Sequence, residues 1–339
     1  MDDETRPLLE VSDLSVDFQG AAGWTRVLDG VSYDVRAGEV LGIVGESGCG
    51  KTVSSLAVMQ LLDLQGGRIA GGDIRYDGRS LLGLGRRERD RIRGAEIAMI
   101  FQQPMRSLNP AFTVGHQIAD VVRHHTGCGR RQAWDRAVEM LSLVHIPSPQ
   151  ERARAYPHQF SGGMCQRVMI AMALACSPKI LIADEPSTAL DVTVQEQILA
   201  LLRELRDRLD LAIVIITHDL GVVADLADRV AVMYAGQVVE QAPVLDLFAD
   251  PQHPYTAALL AAVPTEVHRS ERFVSIPGRV ALPGEWPAGC RFATRCPVVD
   301  GERCTDHPPP VHVDGPRSVR CVRVGEPALV KQGVVHGRR

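Results

Sequence analysis

Gly45-Glu46-Ser47-Gly48-Cys49-Gly50-Lys51-Thr52 fills every fixed position of the phosphate-loop pattern G-x-x-x-x-G-K-[ST]. Its surroundings are those the motif needs. Upstream, Glu39 to Val44 is an apolar run that predicts a buried strand, and downstream the apolar residues at 53, 56, 57, 58, 61 and 62 predict a helix from Val53 to Leu62. Glycines in such a turn let main-chain N–H groups curl around a triphosphate at a helix N-terminus, where partial positive charge already sits. Lys51 is expected to reach the β- and γ-phosphates, and the Thr52 hydroxyl to bind Mg²⁺. The stretch predicts a nucleoside triphosphate site.

With 339 residues the chain exceeds the usual single core, so a large domain with a smaller appendage is expected. Apolar and charged contents of 45% and 23% are those of an ordinary globular protein. A net charge of −4 gives no argument for nucleic acid as a partner. The start, Met1-Asp2-Asp3-Glu4-Thr5-Arg6, is polar and acidic, unlike a secretory leader. The longest apolar runs, such as Val168 to Cys176, reach about half of the ~18–20 residues that span a bilayer. A cytosolic chain that docks on a membrane protein fits these features, and its eight cysteines are then not read as disulfides.

Around the loop, Leu8–Phe18 and Val27–Val35 predict two strands joined at Gly20–Gly23, and Gly72–Tyr76 predicts another. Arg86–Arg93 predicts a solvated charged face, and Ile97–Phe101 a short buried strand. From Pro110 to about His158 the pattern is helical, with Trp134, Ala137, Val138, Leu141 and Val144 on one face. Strands return at 180–183, 212–217 and 230–233 with helices between them, which argues for an α/β fold on a parallel sheet. Pro251 to Pro310 is proline-rich with little periodicity, so a second domain is expected from about 251 to 330.

Phe160-Ser161-Gly162-Gly163-Met164-Cys165-Gln166-Arg167 offers a second anion cradle, a serine and two glycines at a helix start. The stretch resembles the signature sequence of ATP-binding-cassette (ABC) ATPases, and the rest of that family's motifs follow in order. Lys179 to Asp184-Glu185 resembles a Walker B strand, and Ser187-Thr188-Ala189-Leu190-Asp191 the D-loop. His218 resembles the switch histidine, and Gln102, ahead of its neighbour Gln103, stands at the Q-loop position. The resemblance implies a P-loop NTPase cassette over about 8–250, with a parallel-sheet core, an antiparallel β subdomain and a helical subdomain near 105–160. It also implies catalytic roles for Glu185, His218 and Gln102, and Mg²⁺ held by Thr52, Gln102 and Asp184. ATP would contact residues 45–52 together with Ser161, Gly162 and Gly163 of a second cassette, with Phe18, or else Trp24, stacking on adenine. Cys165 stands where close relatives commonly carry Arg.

His253-Pro254-Tyr255-Thr256-Ala257-Ala258-Leu259-Leu260 and the phrase Phe101-Gln102 … Pro104-Met105 … Ser107-Leu108-Asn109-Pro110 resemble the oligopeptide/dipeptide importer ATPases. The resemblance spans about nine-tenths of the chain. It implies peptide import at the cytoplasmic face of a membrane, with two transmembrane permease subunits and an extracytoplasmic substrate-binding protein. The second cassette is expected to be a paralogous chain; nickel or opine uptake is the alternative cargo. Cys290, Cys296, Cys304 and Cys321, spaced C-x5-C-x7-C-x16-C, form a small set of thiolates suited to zinc or a [4Fe–4S] cluster. No short C-x2-C pair of the zinc-ribbon kind is present, and the resemblance implies the cluster. DNA-acting cassette ATPases insert a long coiled coil between phosphate loop and signature, and ribosome-acting ones usually carry two cassettes. Here about 110 residues without sustained heptads separate Thr52 from Ser161 in a single cassette.

Overall fold

A computed structural model describes residues 6–21, 23–102, 107–186, 190–262 and 276–326. Its strands are β1 (Leu9–Gly20), β2 (Gly23–Val35), β3 (Val40–Val44), β4 (Gly67–Tyr76), β5 (Arg79–Ser80) and β6 (Ile97–Ile100). They continue with β7 (Ile180–Asp184), β8 (Ala212–Thr217), β9 (Arg229–Tyr234), β10 (Gln237–Pro243), β11 (Val311–Asp314) and β12 (Arg317–Arg320). By residue contacts the chain divides into two compact units, one of residues 1–8, 35–40 and 79–216, the other of 9–34, 41–78 and 217–339.

In the first unit, β6, β7 and β8 lie side by side and parallel, with Ile97 opposite Ile180 and Ile180 opposite Ala212. All residues of β7 and β8 are buried, as expected for parallel strands covered on both faces. The helix Val192–Leu209 buries Ile198, Leu199, Leu201, Leu202 and Leu205 at helical spacing and begins at Asp191, whose side chain accepts from Val194 N–H at 3.0 Å. Helices Val114–Thr126, Arg130–Leu143 and Gly162–Leu174 pack on one another. The buried face of Arg130–Leu143 is Ala133, Ala137, Met140 and Leu141; Trp134 and Val138 are only half-buried, so the face is turned by about one residue from the expected one.

In the second unit β1 lies between β2 and β4, antiparallel to β4. Its inward residues are Leu9 and Val11, then Leu14 and Val16; the alternation slips by one residue where a register shift follows Ser12 and Asp13 takes a φ of +49°. A second group of strands runs β11-β12-β10-β9-β3, in which β9 is parallel to β3 and the rest are antiparallel. The β9–β10 hairpin turns through Ala235 and Gly236, at φ +44° and +80°, the left-handed pair that a two-residue loop requires.

Three expectations are corrected. The helix after the phosphate loop spans Lys51–Val58 rather than 53–62, because Gln60 turns left-handed at φ +54° and Leu62–Gln65 forms a 3₁₀ turn. Strand β4 begins at Gly67, five residues before the predicted Gly72. Past Pro310, where no element was expected, β11 and β12 form a hairpin that extends the sheet beside β10. Among the described residues no helix is long and apolar enough to cross a membrane. Gln103, Pro104, Met105 and Ser187-Thr188-Ala189 of the D-loop lie outside the described residues.

Ile182 is 1% exposed at the middle of β7. Ile182→Ala is expected to destabilise the protein by about 2–5 kcal/mol, read as an earlier urea-unfolding midpoint for the purified chain.

Candidate functional site

The phosphate loop leaves β3 and closes onto the helix Lys51–Val58. At Gly45, φ is +154° and an added Cβ would stand 2.2 Å from the Met233 carbonyl oxygen, so only glycine fits. Lys51 is 6% exposed, and its ammonium donates to the carbonyl oxygens of Gly45 at 2.7 Å and Glu46 at 3.1 Å. The lysine thereby folds the loop around its own head group. Cys49 is buried with its sulfur 3.9 Å from that ammonium, and burial pushes its thiol pKa up, which fits the absence of any assigned chemistry. Ser47, Gly48 and Gly50 complete the turn, and the Thr52 side chain is exposed at the helix start. Phe18 is half-buried with its ring against Gly67, and Trp24 is 45% exposed under the Arg68 guanidinium, 3.9 Å from its centroid.

Glu46 is held from elsewhere in the sequence. Its N–H donates to the Tyr255 hydroxyl at 3.0 Å, and its carboxylate takes both outer nitrogens of Arg295 at 2.6 and 3.0 Å. Tyr255, Tyr234 and Phe292 pack ring on ring, with centroids 4.6–5.3 Å apart. His218 sits on an exposed turn between Thr217 and Asp219, and Asp219 starts the helix Leu220–Leu226 by accepting from Gly221 N–H at 2.8 Å.

In the unit that contains β7, Asp184 ends the strand 3% exposed. Glu185 follows with φ +48°, a costly conformation for a residue with a side chain, while its N–H donates to the Ile216 carbonyl at 2.8 Å. The Gln102 amide donates to its carboxylate at 2.6 Å. The structure thus brings the Q-loop glutamine to the carboxylate expected to act as base. Ser161 begins the helix Gly162–Leu174, with its hydroxyl accepting from Met164 N–H at 3.3 Å, and it is exposed together with Gly162. Gly163 is required: a Cβ there would meet Val194 at 2.5 Å. Cys165 is fully buried with its sulfur 3.6 Å from the Pro157 carbonyl oxygen, a packing position.

The four late cysteines line one small pocket, a cavity of about 10 Å³, together with His253 and Phe292. Burial pushes the Cys290 thiol up to about 11 and the Cys296 thiol up to about 12. Nearby main-chain N–H groups oppose this: those of Phe292 and Ala293 beside Cys290, of Val298 beside Cys296 and of Arg323 beside Cys321. Asp300 N–H reaches the Cys304 sulfur at 3.4 Å. His253 is fully buried, which lowers its pKa to about 3 and keeps the ring neutral. Its Nδ1 accepts from Tyr255 N–H at 3.0 Å, so the proton is on Nε2, and Nε2 finds no hydrogen-bond partner among the described residues. Among the described residues no three His, Cys, Asp or Glu side chains are gathered closely enough to hold a metal ion.

Residues 28–188 match the family model described as ABC transporter, and 239–304 match the oligopeptide/dipeptide transporter C-terminal region. The "Probable peptide ABC transporter ATP-binding protein y4tR" of Sinorhizobium fredii is 54% identical over 87% of this chain and 88% of its own. The chain belongs to the ABC transporter ATPases. The dipeptide transport ATP-binding protein DppD of Escherichia coli is 50% identical to it over 92% of this chain and 95% of its own. The dimeric ABC cassette MJ0796, solved after hydrolysis with ADP and phosphate, matches 70% of this chain and 98% of its own with a TM-score of 0.61 and 26% identity.

Within this ABC ATPase, motif reading passed over Tyr255 and Arg295 because no local pattern links them to a loop more than 200 residues earlier. Gly45→Ala is expected to abolish nucleotide binding and to destabilise the chain by about 1–3 kcal/mol, since the Met233 carbonyl cannot retreat without disturbing β9. Calorimetric titration with ATP and a urea melt check both.

Proposed function

We propose that the chain is the ATP-hydrolysing subunit of a peptide importer, at the cytoplasmic face of the membrane. The observation that carries the peptide assignment is the C-terminal region from residue 239, shared with oligopeptide/dipeptide transporters. Identity of about half to DppD over nearly the whole chain supports it. Its partners are two transmembrane permease subunits, an extracytoplasmic substrate-binding protein and a second cassette. The second cassette is assigned to a paralogous chain rather than an identical copy.

Each residue then has a role. Lys51 grips the β- and γ-phosphates, and the glycines at 45, 48 and 50 let loop N–H groups face them. Phe18 stacks on adenine, with Trp24 the alternative. Thr52, Gln102 and Asp184 are assigned as the residues that would hold Mg²⁺; the ion would neutralise charge on the phosphates when bound. Glu185 polarises the attacking water, and its bond from Gln102 supports that orientation. His218 contacts the γ-phosphate. Ser161, Gly162 and Gly163 present an exposed helix N-terminus to the nucleotide of the partner cassette. Glu185→Gln is expected to retain ATP binding while turnover falls about 10²–10⁴-fold. In cells carrying the whole transporter it should also stop uptake of labelled dipeptides. Nickel uptake lost while dipeptide uptake persists would overturn the peptide assignment.

The four cysteines are assigned to a [4Fe–4S] cluster, with zinc the alternative. A single zinc ion bonds sulfur at about 2.3 Å and needs its four thiolates gathered tightly, whereas a cluster holds them at its outer corners. Four thiols lining one pocket, with main-chain N–H groups beside them and Asp300 N–H donating to the Cys304 sulfur, suit the larger group. So does the Nε2–H of His253, a donor with no acceptor among the described residues. Anaerobically purified chain is expected to be brown, with about four iron and four sulfide per chain. Colourless protein with one zinc per chain would exclude the cluster.

A further inference from the structure

A loop that binds phosphate through main-chain N–H groups must be held in shape by contacts that leave those groups available. Lys51 supplies part of the hold from inside. The rest comes from the C-terminal region. Arg295 is 3% exposed in its side chain, and every one of its N–H donors has an acceptor. Nε donates to Pro277 O at 2.8 Å, one outer nitrogen to Glu46 and the Tyr234 hydroxyl, the other to Glu46 and Ile276 O. Its planar fork matches the carboxylate in two parallel bonds, which fixes direction as well as distance. Tyr255, fully buried in the aromatic group with Tyr234 and Phe292, accepts the Glu46 N–H on its hydroxyl and so fixes that peptide.

The position of the charge matters as much as the grip. Glu46 places a carboxylate in the loop meant for a polyanion, where an unneutralised negative charge repels phosphate. Arg295 cancels it through the paired bonds to the carboxylate. Arg295 also closes the short 3₁₀ turn Ala293–Arg295 between Cys290 and Cys296, with its N–H donating to Phe292 O at 2.9 Å. The four-cysteine segment therefore ends directly on the phosphate loop.

We propose that Arg295 and Tyr255 are positioning residues of the nucleotide site, through which the four-cysteine segment sets the loop's affinity for nucleotide. This rests on the phosphate-loop reading of residues 45–52 and is independent of what the cysteines bind. ADP–Mg²⁺ titrated into the purified full chain isolates the loop, since ADP carries no γ-phosphate to engage a second cassette. Arg295→Met is expected to weaken ADP binding at least about fivefold, within the usual range of coupling between sites, and to raise the KM for ATP more than it lowers kcat. Arg295→Lys should lie between it and the wild type. Adding Glu46→Gln to Arg295→Met should recover part of the loss, because the exposed carboxylate is gone; a purely mechanical strap gives no such recovery. Tyr255→Phe keeps the ring packing, removes only the hydroxyl, and should weaken ADP binding about threefold or more, so it decides the matter if Arg295→Met does not fold. Wild-type ADP affinity in folded Arg295→Met or in Tyr255→Phe, or a double variant no better than Arg295→Met, overturns the proposal while leaving the phosphate loop intact. A wild-type chain that binds no ADP overturns the loop reading and this proposal with it.

Discussion

A phosphate-binding loop works under an unusual constraint. Buried main-chain N–H groups are normally paired within the protein, yet here they must stay open to a ligand, so the loop's conformation cannot come from ladder hydrogen bonds. Its shape has to be imposed through carbonyl oxygens, side chains and steric exclusion. This chain uses all three. Lys51 draws the carbonyls of Gly45 and Glu46 onto its ammonium, Met233 of the neighbouring strand leaves no space for a Cβ at Gly45, and Arg295 with Tyr255 holds Glu46 from outside. The fold of the second unit follows from serving that loop: β3 delivers it, β9 backs it, and β9 carries Tyr234 into the aromatic group that seats Tyr255 and Phe292.

The β7 end obeys a different rule. Glu185, proposed as the water-activating carboxylate, leaves the strand with a left-handed backbone that costs free energy. The Glu185 N–H bond to Ile216 O and the amide of Gln102 hold that conformation in place. The signature needs neither strain nor burial. Ser161 satisfies one helix N–H, and the following glycine leaves the exposed helix end without a side chain over it.

What sequence reading recovered follows from how local each signal is. The apolar runs of β3, β7 and β8 and the phosphate-loop glycines express constraints between residues a few positions apart, so pattern alone located them. The end of the helix at Val58 escaped because Leu61 and Leu62 continue the apolar rhythm after Gln60 has already broken the backbone. Strands β11 and β12 escaped because each is only four residues long and β11 is exposed throughout, so its Val-His-Val-Asp alternation marks no buried face. For Arg295 the sequence distance to Glu46 is 249 residues, and an arginine between two cysteines carries no sign of its partner.

That pair also explains itself poorly as a source of stability. Removing a guanidinium and a carboxylate from water costs much of what their attraction returns, so a buried ion pair is weak evidence for a more stable fold. What it does give is uniqueness: with all its donors committed, Arg295 admits one arrangement of Glu46, Tyr234 and the turn at 276–277. A loop that must keep one shape without main-chain pairing gains more from such directional commitment than from added burial. The C-terminal region, joined to the sheet through β12 and to the loop through Arg295, therefore belongs to the nucleotide site as much as to its own cysteines.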